Sequence, residues 1–337
     1  SGSDPLIGRL AYQTGVQVMS LIKEGIKPAD ILTMESFENA IRVFLALGGS
    51  TNALIHIPAI AAELEMEVPL SRFDSLSRET PFICNVKPSG KYLMKEFDEA
   101  GGLPALLNEL SPLLHCETRT VTGKTIGENI RDSKVFNREV IFPLSAPIAK
   151  EGGVAILKGS LAPGGAVVKV SGISKEELFK RGPAKVFESE NEACESLLKG
   201  EIHPGDMVVL RYMGPKGDPG MRVSGARFLW LLSGMNLDTA VTLISDGRFS
   251  GTNKGGAVGH ISPEAMEGGP IAIVRNGDTI EMNIPERRLE LLVSEQEIKK
   301  RLNSWKPPQT RFKKGLLARI SKTMLPIEKG AILQRNF

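Results

Sequence analysis

The spacing of apolar residues changes character near residue 118, and that change constrains the fold more than any other feature of the chain. Before it, apolar positions recur at helical intervals. Leu6, Ile7, Leu10, Val16, Val18, Met19 and Ile22 share such a spacing, and Gly25 ends it. Residues 28–32 read as a short connecting turn. A second helix is expected from Glu35 to Leu47, closed by Gly48-Gly49. Ser50-Thr51-Asn52 then precede the apolar run Ala53–Leu64, and their side-chain oxygens are expected to cap its first amides. Another amphipathic helix begins at Leu103, with Pro104 in its first turn.

After residue 118 the runs shorten to strand length. Val154–Leu157, Ala166–Val170, Lys185–Glu188, Met207–Tyr212, Ala240–Ile244 and Ile271–Val274 are β-branched and apolar, with glycine and proline between them. Asn276-Gly277 between Ile271–Val274 and Thr279–Ile284 predicts a hairpin, because both residues tolerate positive φ. Glu295–Leu302 reads as a helix that Trp305-Lys-Pro-Pro breaks. The expectation is a mixed α/β chain: a helix-rich segment over 4–118, then a β-rich domain over 119–337.

A net charge of +3 over 337 residues argues for neither nucleic acid nor a membrane surface as partner. There is no run of 18 apolar residues and no signal sequence, so the expected location is the cytoplasm. The opening Ser1-Gly2-Ser3 reads as a tag remnant and is set aside. Cys84, Cys116 and Cys194 are far apart with no C-x-x-C pair, which suits reduced, partly buried thiols.

Three segments could carry chemistry. Ile244-Ser-Asp-Gly-Arg-Phe-Ser-Gly251 puts an acid, a base and a hydroxyl at a strand end, where Ser250 is either a solvated turn residue or a reactive hydroxyl. Gly214-Pro-Lys-Gly-Asp-Pro-Gly-Met221 is either a rigid crossover loop or an anion cradle with Lys216 as its charge; the spacing is not a Walker loop. Gly48-Gly-Ser-Thr-Asn52 offers a helix N-terminus to a carboxylate, or is simple capping. The four histidines lack zinc spacing, and His56, on an apolar helix, reads as a core residue.

These blocks occur in one order with Leu93-Met-Lys-Glu-Phe97, Ala100-Gly-Gly-Leu-Pro104, Val121-Thr-Gly-Lys-Thr125, Leu157-Lys-Gly-Ser-Leu-Ala-Pro163 and Gly259-His-Ile-Ser-Pro-Glu264. The set, from about residue 5 to about residue 300, resembles the dihydroxy-acid dehydratase/phosphogluconate dehydratase family, in its C-terminal part.

That resemblance implies a hydro-lyase converting a 2,3-dihydroxy carboxylic acid to a 2-keto acid, of the branched-chain amino-acid biosynthetic type. The alternatives are a sugar-acid dehydratase and a non-catalytic subunit. It implies an iron–sulfur cluster and Mg2+ in the complete enzyme, with cluster ligands upstream, so that this chain alone is expected to be inactive. Ser250 matches the family's base. Thr51, Asn52, Lys216, Asp246 and Arg248 match positions expected to contact substrate. No metal ligand is assigned: Val223 stands where many relatives carry a glutamate. Residues 4–118 would end a cluster-binding α/β domain, and 119–337 would form a β-barrel-like swivelling lid. The expected partners are a small dihydroxy acid and further copies of the chain as a homodimer or larger homo-oligomer, with no nucleic acid and no membrane.

Overall fold

A computed structural model describes residues 5–249, 256–310 and 312–334. The chain divides into two compact units that alternate along the sequence: Ser1–Leu47 with Arg78–Gly152, and Gly48–Ser77 with Gly153–Phe337.

The first unit is helical. Met34–Leu47 and Gly102–Leu110 form where the spacing predicts them. They bury Ala46, Leu106 and Leu110 with Ile83, Phe97 and Ile141 in one core. Pro5–Glu24 is also a helix, but none of its residues is buried.

The second unit is built on one eight-stranded sheet. Its strands are β1 (Val154–Leu157), β2 (Gly165–Lys169), β3 (Phe179–Phe187), β4 (Met207–Leu210), β5 (Thr242–Ser245), β6 (Ala257–Ser262), β7 (Thr279–Asn283) and β8 (Arg288–Leu291). The order is β1-β2-β6-β5-β4-β3-β7-β8. The four middle strands, β6-β5-β4-β3, are parallel, and the outer pairs are antiparallel. Beyond β1, Lys158 bridges Arg288 at the start of β8, its amide 2.9 Å from the Arg287 carbonyl, and this nearly closes the sheet into a barrel.

Parallel neighbours need long crossovers. Helix Glu190–Leu198 lies between β3 and β4, and helix Ala226–Gly234 between β4 and β5. Both sheet faces are therefore covered, and every residue of β4, β5 and β6 is buried. One face packs Leu157, Val168, Val209, Ile244 and Val258 into the barrel core; the other sets Val208, Leu210 and Leu243 against Phe228 and Leu232. Each such side chain contributes roughly 1.5–3 kcal/mol when fully buried.

Several local expectations change, among them the turn expected at 28–32, which is a one-turn helix over Pro28–Ile31. Ile271–Ile273 is not a strand: with Pro270 it forms a buried 3-10 turn. Gly277 (φ +86°) still makes a turn, but its amide donates to Ala184 of β3, and β7 hairpins onto β8 instead. At the start of helix Ala53–Glu63 no side chain caps the amides. The backbone carbonyls of Ser50, Thr51 and Asn52 accept them, because Asn52 is already helical in its backbone.

Candidate active site

The carboxyl ends of β4, β5 and β6 meet, which is where open parallel sheets place ligands. The chain leaves β5 at Ser245, and Asp246 turns inward, wholly buried. Its carboxylate accepts from the amides of Tyr212 (3.1 Å) and Met213 (2.9 Å) after β4, and of Ala265 (2.8 Å) after β6. One carboxylate thus ties three strand ends together. Burial raises its pKa to about 6, against the opposing pull of those amides.

Glu264 is the next buried acid. It accepts from the amides of Lys216 (2.8 Å) and Gly217 (3.0 Å), so it holds the Gly214–Gly217 loop from below. Burial, then the neighbouring Asp246, pushes its pKa up to about 8. The loop glycines are required by close approach. A Cβ on Gly217 would lie 2.6 Å from the Tyr212 carbonyl oxygen, and one on Gly214 would lie 2.6 Å from Glu264 Oε2.

The residues expected to touch substrate fall in this unit. Thr51 is buried at the start of helix Ala53–Glu63. Asn52 donates from its amide nitrogen to Ser50 Oγ at 3.0 Å, while its Oδ1 is buried without a partner. Lys216 Nζ is ion-paired with Glu267. Arg248 is half-buried and its Nε donates to the Met221 carbonyl. Val223 is 39% exposed and bridges Arg248 through backbone. Ile55, Met221 and Ile327 pack into one small cluster, which joins the Asn52 helix to the Met221 loop. Ser250 lies outside the described residues. His56 is not a core residue: it is exposed.

His260, not singled out from the sequence, lies inside this constellation. It sits in β6 with φ +55°, and β6 carries an extra residue opposite Gly165–Val167 of β2. Its side chain is 2% exposed and its Nε2 has no partner. Burial, then electrostatic repulsion from the neighbouring Arg248 and His56, pushes its pKa down to about 3, so the ring is neutral. Tyr212 (φ +64°) and Met221 (φ +43°) share the left-handed backbone, and such conformations cluster at functional sites.

Two family models match the chain. Residues 139–331 match the model for the C-terminal part of the dihydroxy-acid/6-phosphogluconate dehydratases, and residues 2–129 match the model for their N-terminal part. The chain belongs to the dihydroxy-acid/6-phosphogluconate dehydratase family. The second match widens the assignment beyond the C-terminal part alone. Proteins named dihydroxy-acid dehydratase from Caldanaerobacter subterraneus subsp. tengcongensis and from Acetivibrio thermocellus are each 48% identical over 330 residues, 97% of this chain and 59% of theirs. The one from Methanothrix thermoacetophila is 48% identical over 97% of this chain and 60% of its own length. The chain therefore spans about three fifths of the length of these relatives.

The described residues do not fit the iron–sulfur cluster or the magnesium ion that the resemblance implies. Among them no three His, Cys, Asp or Glu side chains come together as a metal-ligating group. Cys84 is buried in the helical core, its thiol pushed up to about 12 by burial, which is the opposite of a thiolate ligand. Cys116 is raised for the same reason, and Cys194 is packed with Phe228 and Leu197 in the second unit. The acids Asp246 and Glu264 spend their oxygens on backbone amides. No helix among the described residues is long and apolar enough to cross a membrane.

Proposed function

We propose that this chain forms the substrate-holding side of a hydro-lyase that converts 2,3-dihydroxy carboxylic acids to 2-keto acids, of the type used in branched-chain amino-acid biosynthesis. The observation that carries this reading is the 48% identity, over nearly the whole chain, to proteins named dihydroxy-acid dehydratase. The reaction takes a proton from C2 and hydroxide from C3, and the resulting enol becomes the keto acid.

The chain's own groups divide this work. Arg248 supplies the charge for the substrate carboxylate; among the described residues it has no ion pair, and a guanidinium is built for carboxylates. Thr51 and Asn52 present polar groups at a helix start. Asp246 acts as the knot that orders the strand ends around the ligand, and Lys216, held by Glu267, borders it. Ser250, one residue past the Phe249 packed in the core, is the proposed base at C2. The iron–sulfur cluster and Mg2+ belong to the complete enzyme, and no ligand for either is assigned here. On this reading, residues 4–118 end the cluster-binding domain and 119–337 form the swivelling lid. The chain works in the cytoplasm as a homodimer or larger homo-oligomer, with a small dihydroxy acid as its ligand.

A sugar-acid dehydratase of the same family is the second reading, since the matching family model covers 6-phosphogluconate dehydratases. A non-catalytic subunit is the third, favoured by the exposed aliphatic Val223. The test is anaerobic assay of 2-keto acid from 2,3-dihydroxy-isovalerate and from 6-phosphogluconate, with the cluster-bearing region of a relative supplied in trans. Keto acid from the first substrate, abolished by Ser250→Ala, is expected. Keto acid from 6-phosphogluconate alone would select the second reading. No product from either would select the third.

A further inference from the structure

The site holds two polar atoms that the protein itself leaves unanswered. Asn52 Oδ1 and His260 Nε2 are both buried and both lack a hydrogen-bond partner. A buried polar atom left in this state costs roughly 1–3 kcal/mol, so a pair of them in one neighbourhood calls for a ligand or an ordered water. A chain of contacts links them: His260 is hydrogen-bonded to Gly247, the residue before Arg248, and Arg248 reaches the Met221 loop against which the Asn52 helix packs. Ile55 of that helix packs on Met221, whose carbonyl takes the Arg248 Nε hydrogen bond.

The backbone also singles out His260. A non-glycine residue with φ +55° inside a strand is uncommon, and it follows Gly259, where a Cβ would meet the Phe249 ring at 2.7 Å. His260 N donates to the Gly247 carbonyl at 2.9 Å, which fixes the imidazole's starting point beside the loop after β5. The bulge therefore aims this side chain, at a cost in backbone strain.

We propose that His260 is a substrate-binding residue of this site, its Nε2 exchanging a hydrogen bond with a hydroxyl of the bound hydroxy acid, with Asn52 Oδ1 accepting from that hydroxyl or its neighbour. The inference rests on the dehydratase reading above. Its chemistry follows from the two atoms. Asn52 Oδ1 can only accept, so its partner must donate, which excludes a carboxylate. A neutral imidazole Nε2 either donates or accepts according to its tautomer, and a hydroxyl answers both. The carboxylate of the ligand is left to Arg248.

The test uses the full chain with ring-15N histidine and compares 2,3-dihydroxy-isovalerate with isovalerate, which has the same carbon skeleton and carboxylate but no hydroxyls. His260→Asn assigns the His260 signal among the four histidines and is too short to reach as Nε2 does. Asparagine tolerates positive φ, so the variant keeps the bulge. His260→Gln, whose amide extends further, is the rescue variant. The His260 ring signals should move with the dihydroxy acid and stay still with isovalerate. The dihydroxy acid should bind about tenfold more weakly to His260→Asn, as expected for one lost hydrogen bond, and His260→Gln should recover part of that. Unmoved His260 signals with an unchanged Kd in His260→Asn, while the wild type binds the dihydroxy acid, would overturn the inference, leave the dehydratase reading standing and assign the position to water. A wild-type chain that binds no dihydroxy acid would overturn the inference, and the assay with the cluster-bearing region in trans would still decide the dehydratase reading by itself.

Discussion

Two layers of the strand-end region treat their polar groups in opposite ways. Around Asp246 and Glu264 the acceptors are used: five backbone amides, from Tyr212, Met213, Lys216, Gly217 and Ala265, donate to two carboxylates. Around Asn52 and His260 two buried polar atoms have no partner at all. The difference separates scaffold from binding surface. A satisfied buried network rigidifies what it touches, whereas an orphaned atom is free energy held for something that arrives later. Asp246 and Glu264 thus belong to the layer that sets loop positions, and Asn52 and His260 are the layer proposed to meet the ligand.

Breaking the first layer should have the largest effect. Asp246→Ala strands three buried amides, so the loss of folding free energy should be roughly 3 kcal/mol or more, read as a large fall in the denaturation midpoint. A loss under 1 kcal/mol would mean that water reaches these amides and the knot is not structural. Gly217→Ala should cost about 1–3 kcal/mol, since the new methyl meets Tyr212 backbone at 2.6 Å. A neutral outcome in thermal unfolding would show that the loop can shift away from Tyr212.

Two pH dependences sharpen the contrast. Glu264 holds its proton more tightly folded (about 8) than unfolded (near 4.5). Its contribution to stability is therefore complete below about pH 4.5 and is lost as pH rises through about 8. Glu264→Gln should flatten that decline, in unfolding curves recorded between those limits. His260 behaves with the opposite sign. Its folded pKa, about 3, lies below the ordinary 6.5, so its contribution is present above pH 6.5 and is lost as pH falls towards 3. His260→Asn should remove that acid-side slope while leaving stability at neutral pH nearly unchanged, the smallest effect of the four. A variant that keeps the wild-type acid slope would place the titrating group elsewhere.

Much of the frame was legible in the sequence, and the reasons for the misses are physical. The run at Met207–Tyr212 announces a strand because parallel, doubly covered strands read as continuous apolar stretches, and Val154–Leu157 does so because every residue of that strand is buried too. β6 is not legible because Gly259 and the left-handed His260 interrupt its pattern, and the proposed ligand contact lies at that interruption. Ile271–Ile273 looked like a strand, since a buried apolar turn and a buried strand share composition. Asp246 and Lys216 stood out as charged residues in glycine-rich loops, but their partners, Ala265 and Glu267, are distant in sequence and no local spacing marks them. Metal-ligand spacing does not mark His260, because no second histidine stands near it in the sequence. Its signal was a histidine directly after glycine in an apolar run.

The most direct test of the division between scaffold and binding surface is amide hydrogen exchange of the full chain with and without 2,3-dihydroxy-isovalerate. Added protection confined to residues 48–56, 245–249 and 257–264 is the predicted result, with the amides held by Asp246 and Glu264 already slow in the free protein. Protection elsewhere with none in these segments would contradict the placement of the site. So would fast exchange of the Met213 and Ala265 amides before any ligand is added.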